Sequence, residues 1–193
     1  MAERVLSLDL KRPLIAVDWT EWHQDMRVLA AACVGNRAIA IFAQGFSKTD
    51  MPRSQNPREN TFIDLLTRLS KRVNKAVLIF DRGFRRVSFI KQLGWLRQSF
   101  IIRLAAKVHV RSQHYQGLLS DHPLRPGKRI DLGNCELSER SAVRVRVVGI
   151  WAHDQAEPWW MATNLSVSLQ RVSQYYDRRM GVEEQFRDTK GRA

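Results

Sequence analysis

Cysteine is nearly missing from this chain. Cys33 and Cys135 are the only two, far apart and in no pairing pattern, which excludes a disulfide-stapled scaffold. Two thiols cannot build a zinc cluster by themselves, and the five histidines (His23, His109, His114, His122, His153) show no zinc spacing with them. A reducing cytoplasm suits such cysteine usage. Long apolar runs are missing too: none approaches the roughly 18 residues that a membrane span needs. The opening Met1-Ala2-Glu3-Arg4 has no basic start leading into an apolar stretch, so no secretion signal is expected. With 6 prolines and 10 glycines, and with no repeats or low-complexity tracts, the chain is neither collagen-like nor mostly disordered. No Ser/His or Cys/His arrangement suggests a covalent nucleophile.

The remainder describes an ordinary globular protein. Of 193 residues, 44% are hydrophobic and 26% charged, enough for one domain with a real core but not for two full-sized ones. The balance of charge is less ordinary. Lys and Arg number 32 against 19 Asp and Glu, a net charge of +13, which points to a polyanionic partner and most directly to nucleic acid. From Arg82 to Ser120 there is no acid at all, while Arg82, Arg85, Arg86, Lys91, Arg97, Arg103, Lys107 and Arg111 are basic. A solubilising surface is the plainer reading of such a stretch, and its length favours contact with DNA.

Hydrophobic patterning predicts an α/β domain. Leu14 to Val17, Met26 to Val34 and Ala38 to Phe46 read as three successive strands, the last two joined at the turn signal Gly35-Asn36. Asn56 as cap, Pro57 in the first helical position and Glu59 as capping-box carboxylate predict a helix start. Its buried face is expected to carry Phe62, Leu65, Leu66, Leu69 and Val73. Ala76 to Phe80 is unbroken and apolar, as in a strand covered on both faces. Val87 to Trp95 reads as a helix and Ser99 to Leu104 as a strand. The pattern then loosens from Ala105 to about Arg146, an insertion with β structure. A mainly helical stretch from about Ser168 to Lys190, interrupted or bent near Gly181, closes the chain.

Two aspartates end apolar runs: Asp18 after Leu14 to Val17, and Asp81 after Ala76 to Phe80. Ligands of α/β sheets collect at such strand ends, although either Asp alone reads as a turn residue. If the two strands are neighbours, converging carboxylates need a cation between them, and Mg²⁺ prefers oxygen ligands. On the final helix Tyr176, Arg179, Glu183 and Lys190 have offsets that place all four within about 60° of one face. An apolar core stripe would not look like this. A carboxylate between two cations and a phenol suits a metal with phosphates around it, and equally a solvated face with paired charges.

The spacing Tyr176-x2-Arg179-x3-Glu183-x6-Lys190 resembles the signature of DDE transposases of the insertion-sequence-four family. Val17-Asp18-Trp19-Thr20 and Phe80-Asp81-Arg82-Gly83-Phe84 resemble that family's two Asp motifs, in order, and Trp160-Met161-Ala162-Thr163-Asn164-Leu165 is also similar. The resemblance spans about Leu14 to Lys190. It implies a ribonuclease-H-like fold: a mixed five-stranded sheet flanked by helices, with a β-rich insertion at approximately 105–146 before the last helix. It implies that Asp18, Asp81 and Glu183 hold two Mg²⁺ ions, for which Mn²⁺ can substitute. Tyr176, Arg179 and Lys190, with the basic Arg82, Arg85 and Arg86, would contact DNA phosphates. Trp160 (or Trp159) would hold a flipped base, a role that competes with plain core packing.

The function so implied is metal-dependent cleavage and strand transfer at the ends of an insertion sequence. The expected partner is double-stranded DNA, engaged as a homodimer, in a bacterial cytoplasm and on the nucleoid when bound. Trp19 and Met180 depart from the family's usual residues at their positions, and neither is one of the three carboxylates. An early first Asp, and an end three residues past Lys190, lead us to expect a catalytic domain truncated at both ends. Two alternatives stand beside the transposase: an inactive, sequence-indifferent DNA-binding remnant, and a nuclease of the same fold that does not transpose.

Overall fold

A computed structural model describes residues 12–35, 38–50, 54–69, 73–137 and 142–179. They form a mixed α/β architecture of many strands and few helices, in two compact units. One draws on Met1–Ile79, Leu96–Gln98 and Tyr175–Ala193, the other on Phe80–Trp95 and Ser99–Gln174.

In the first unit the strands β1 (Leu14–Glu21), β2 (Met26–Val34), β3 (Ala38–Ser47) and β4 (Val77–Phe80, whose last residue opens the second unit) lie in the order β3-β2-β1-β4. β1 pairs antiparallel with β2, and β2 with β3, as the turn signal between the latter two predicts. The amide of Val77 donates to the Pro13 carbonyl at 2.8 Å, which fixes the start of β4 beside the start of β1. Leu14 to Val17 and Val77 to Phe80 are buried throughout, the pattern of central strands covered on both faces. β1 runs further than the apolar stretch suggests. Trp19, Thr20 and Glu21 continue the ladder opposite Leu29, Val28 and Arg27, so Asp18 lies within the strand and not at its end.

Helix α1 (Asn56–Leu69) begins one residue earlier than its capping signals imply. The Gln55 carbonyl accepts the Glu59 amide at 3.1 Å, and Ser54 Oγ accepts the Asn56 amide at 3.3 Å. Its buried face is Glu59, Phe62, Ile63, Leu66 and Thr67; Leu65 and Leu69, expected inside, are exposed. Phe62 packs on Phe42 of β3 with ring centroids 4.8 Å apart. Thr67 is tolerated inside because its hydroxyl donates to the Ile63 carbonyl at 3.0 Å.

The second unit holds helix α2 (Val87–Trp95), β5 (Ser99–Leu104), β6 (His109–Arg111), β7 (Gln116–Leu118), β8 (Arg129–Leu137), β9 (Val143–Ile150) and β10 (Trp159–Thr163), with strand order β5-β10-β9-β8-β6-β7. The described pairs β5/β10, β10/β9, β9/β8, β8/β6 and β6/β7 are all antiparallel. Phe80, Phe84 and Phe89 form a cluster with centroids 5.2 to 5.5 Å apart. A register shift in β8 falls between Asp131 and Gly133. Gly133 takes a φ of 68° there, which glycine adopts at little cost.

Arg146 closes this region as a clasp. It donates to Asp131 Oδ2 at 2.7 Å and to the carbonyls of Leu165 and Val167, each at 2.7 Å. Burial alone would raise the Asp131 carboxyl, but Arg146 and the Gly133 amide outweigh it and hold the group below its ordinary value.

Both thiols are buried. Burial pushes Cys135 up to about 11 and raises Cys33 as well. Only the thiolate reacts, so neither cysteine should react with dithionitrobenzoate at pH 8 in the native protein, and both should on unfolding in guanidinium. Rapid native labelling at Cys135 would contradict this packing.

Helix α3 (Leu169–Asp177) starts where predicted, with Ser168 Oγ accepting the Arg171 amide at 3.2 Å. Among the described residues it ends at Asp177. An acidic side chain in the last turn opposes the helix dipole, and the chain leaves the helix through a tighter turn in which the Arg179 amide donates to the Tyr176 carbonyl at 2.9 Å. Tyr176 thus sits in the last turn of the helix and Arg179 in the turn that follows it. Glu183 and Lys190 lie outside the described residues.

Candidate active site

Asp18 is the first residue of β1 to emerge from full burial, opposite Ala30 of β2. Its two carboxylate oxygens have distinct partners. Oδ1 accepts the backbone amide of Trp19 at 2.9 Å. Oδ2 accepts the Arg179 guanidinium at 2.6 Å, across 161 positions of sequence. The side chains are 20% and 6% exposed, respectively, so this is a largely desolvated ion pair.

Trp19 anchors the same stretch of strand. Its indole Nε1 donates to Glu59 Oε1 at 3.0 Å, which draws the buried Glu59 side chain inward from the capping role its position predicts. Phe46 lies 5.6 Å away, centroid to centroid, and the Arg27 guanidinium 5.5 Å from the ring centroid. The Trp at this position, a departure from the family's usual residue, is thus built into the framework that holds Asp18. Nothing in the local sequence signals it, because Trp19 and Glu59 are 40 residues apart.

In the other unit Asp81 follows β4 directly and is the N-cap of the short 3₁₀ turn Arg82–Phe84, its carbonyl accepting the Phe84 amide at 3.1 Å. Arg82 and Arg85 are exposed, and Arg85 Nη1 donates to the Arg82 carbonyl at 2.7 Å. Arg86 is half-buried, its guanidinium 5.3 Å from the centroid of Phe89. The basic stretch also carries a residue that composition did not single out. Trp95 is 92% exposed at the end of α2. Helical period could have revealed it, since Phe89, Ile90 and Leu93 define the buried face and Trp95 falls off it.

Tyr176 is 1% exposed, in the last turn of α3. Trp160 is also 1% exposed. It pairs with Leu104 on one side and Gly149 on the other, with His122 at 5.3 Å edge-on. A Cβ on Gly149 would come within 2.3 Å of the Trp160 ring, so that glycine makes the slot the indole fills. Core packing thus accounts for Trp160 as the structure has it. Its neighbour Trp159 is half-buried, under the Arg103 guanidinium at 5.3 Å from the ring centroid.

Asp81 itself opens a stretch that runs from Arg82 to Ser120 without another acid. The chain matches the model of the transposase DDE domain over residues 9–192, and it belongs to that family. No curated protein matches it. Among solved structures it is similar to Marinitoga piezophila Argonaute in complex with 5′ OH guide RNA, at 9% identity and a TM-score of 0.40, covering 89% of this chain and 26% of that one. The same Argonaute with guide RNA and target DNA gives 11% identity, a TM-score of 0.36 and coverage of 88% and 25%. The chain thus spans about a quarter of the length of these structures. Among the described residues no helix is long and apolar enough to cross a membrane.

Proposed function

We propose that this chain is the catalytic domain of a DDE transposase of the insertion-sequence-four family, with a ribonuclease-H-like fold, acting on double-stranded DNA by metal-dependent cleavage and strand transfer. Family membership over residues 9–192 supports the chemistry. The order β3-β2-β1-β4, with β1 to β3 antiparallel, supports the fold. The observation that carries the reading furthest is the match to the transposase DDE domain over residues 9–192.

Among the described residues no three His, Cys, Asp or Glu side chains cluster as a metal site, and Glu183 lies outside them. The donor chemistry nonetheless fits the group: carboxylate oxygens are what Mg²⁺ or Mn²⁺ takes, and Asp18 offers one at the edge of the buried part of β1. Asp18, Asp81 and Glu183 would hold the ions. Bound there, the ions would polarise the phosphodiester and lower the pKa of the attacking water or 3′-hydroxyl. The protein's own part is to fix Asp18 through the Trp19 amide and Arg179, and to bind the DNA backbone through Arg82, Arg85, Arg86, Lys190 and Arg179; Tyr176, 1% exposed, would join them only once uncovered. Any base contact from β10 we assign to Trp159, the more exposed of the tryptophan pair. The working unit is a homodimer on DNA, and the insertion at approximately 105–146 belongs to the same domain.

The engagement of Asp18 by Arg179 favours one competing reading, a DNA-binding remnant without catalysis. Duplex binding and nicking separate the two. Both readings predict salt-sensitive binding: five phosphate contacts would cost about five-hundredfold in affinity between about 50 and 200 mM salt. Only the transposase predicts that Mg²⁺ or Mn²⁺ then supports strand cleavage that a chelator stops. Salt-sensitive binding without cleavage would establish the remnant.

A further inference from the structure

Metal-binding carboxylates repel one another and wait for a cation, yet Asp18 has one from its own chain. The Arg179 guanidinium is 5% exposed overall and donates to Oδ2 at 2.6 Å. The Arg179 amide is tied to the Tyr176 carbonyl, which fixes the turn carrying the side chain. Two charges so far out of water persist only as a pair, because removal of either strands the other. An incoming divalent ion therefore meets a positive guanidinium on the oxygen it needs.

We infer that Arg179 is a resident counter-cation of Asp18 that orients the carboxylate, competes with the metal for it, and yields it when a DNA phosphate claims the guanidinium. A guanidinium forks onto phosphate as readily as onto carboxylate, so the exchange swaps one charge-assisted pair for another. Loading of the metal is thereby tied to the arrival of DNA, and the divalent ion binds weakly while DNA is absent. The inference rests on the reading of Asp18 as a metal-holding carboxylate. It assigns Arg179 a positioning role in addition to its proposed phosphate contact.

The test is a calorimetric Mn²⁺ titration of the whole chain without DNA, beside Arg179→Gln and Arg179→Lys, with circular dichroism to establish folding. Arg179→Gln should bind Mn²⁺ at least about tenfold tighter than the parent, which corresponds to about 1.4 kcal/mol. Arg179→Lys has a compact, single-headed cation on a shorter reach and should bind a fewfold tighter. It carries the test if the Gln variant does not fold. A residue with only a structural role would weaken metal binding when replaced, not strengthen it. Equal or weaker binding in the folded variants would overturn the inference and leave the metal site standing. No Mn²⁺ binding by parent or variants would overturn both.

Discussion

Replacing Asp81 by Asn is expected to reduce metal-dependent strand cleavage by at least about a thousandfold while leaving salt-sensitive duplex binding in place. A bound ion contributes several kcal/mol of transition-state charge stabilisation, and each 1.36 kcal/mol is a factor of ten in rate. Loss of one carboxylate ligand therefore suffices for such a drop. Asp81 caps a short 3₁₀ turn through its backbone carbonyl, which Asn retains. Asp18→Asn should differ in kind. It removes the same chemistry but also leaves the buried Arg179 guanidinium opposite a neutral amide, at a cost of roughly 3 kcal/mol for breaking a desolvated pair. Both variants should lose cleavage, and Asp18→Asn should in addition melt markedly earlier than the parent. An Asp81→Asn protein that cleaves like the parent would remove Asp81 from the chemistry.

Trp160→Ala should destabilise the protein by about 3–5 kcal/mol, the range for deleting a fully buried large aromatic. The indole occupies a slot that Gly149 leaves open and that Leu104 and His122 help to close. The same geometry makes Gly149→Ala costly, because its new methyl would collide with the ring at 2.3 Å; forced overpacking costs about 1–3 kcal/mol. Trp160→Leu in the Gly149→Ala background should recover part of that loss, as residues that share one space do not contribute additively. Thermal or denaturant unfolding of Trp160→Ala, Gly149→Ala and the double variant reads this directly. A Trp160→Ala protein as stable as the parent would show that the indole is not core, and would return it to candidacy as a base contact.

Local patterns carried the sequence reading where local physics decides. The Gly35-Asn36 signal and the apolar runs around it give the hairpin of β2 and β3, and an unbroken apolar run gives the buried β4. Ser168 starts α3 as its side chain predicts. The errors arise where a distant partner intervenes. Glu59 is in the right place for a capping box, but the Trp19 indole 40 positions away takes its carboxylate. Leu65 and Leu69 have helical spacing, but β3 presents Phe42 to Phe62, and Ile63 and Thr67 turn inward instead. The pairing of Asp18 with Arg179 spans nearly the whole chain. Both residues were legible as site candidates, but no spacing rule could show that one holds the other.

The central claim is that the aspartates of this domain bind a catalytic divalent cation. A calorimetric Mn²⁺ titration of the chain with bound duplex DNA, set beside Asp81→Asn under the same conditions, tests it most directly. Saturable binding by the parent that is lost in the folded Asp81→Asn variant is the predicted result. Equal heats from both proteins, or none from either, would contradict it and leave a DNA-binding transposase remnant in its place.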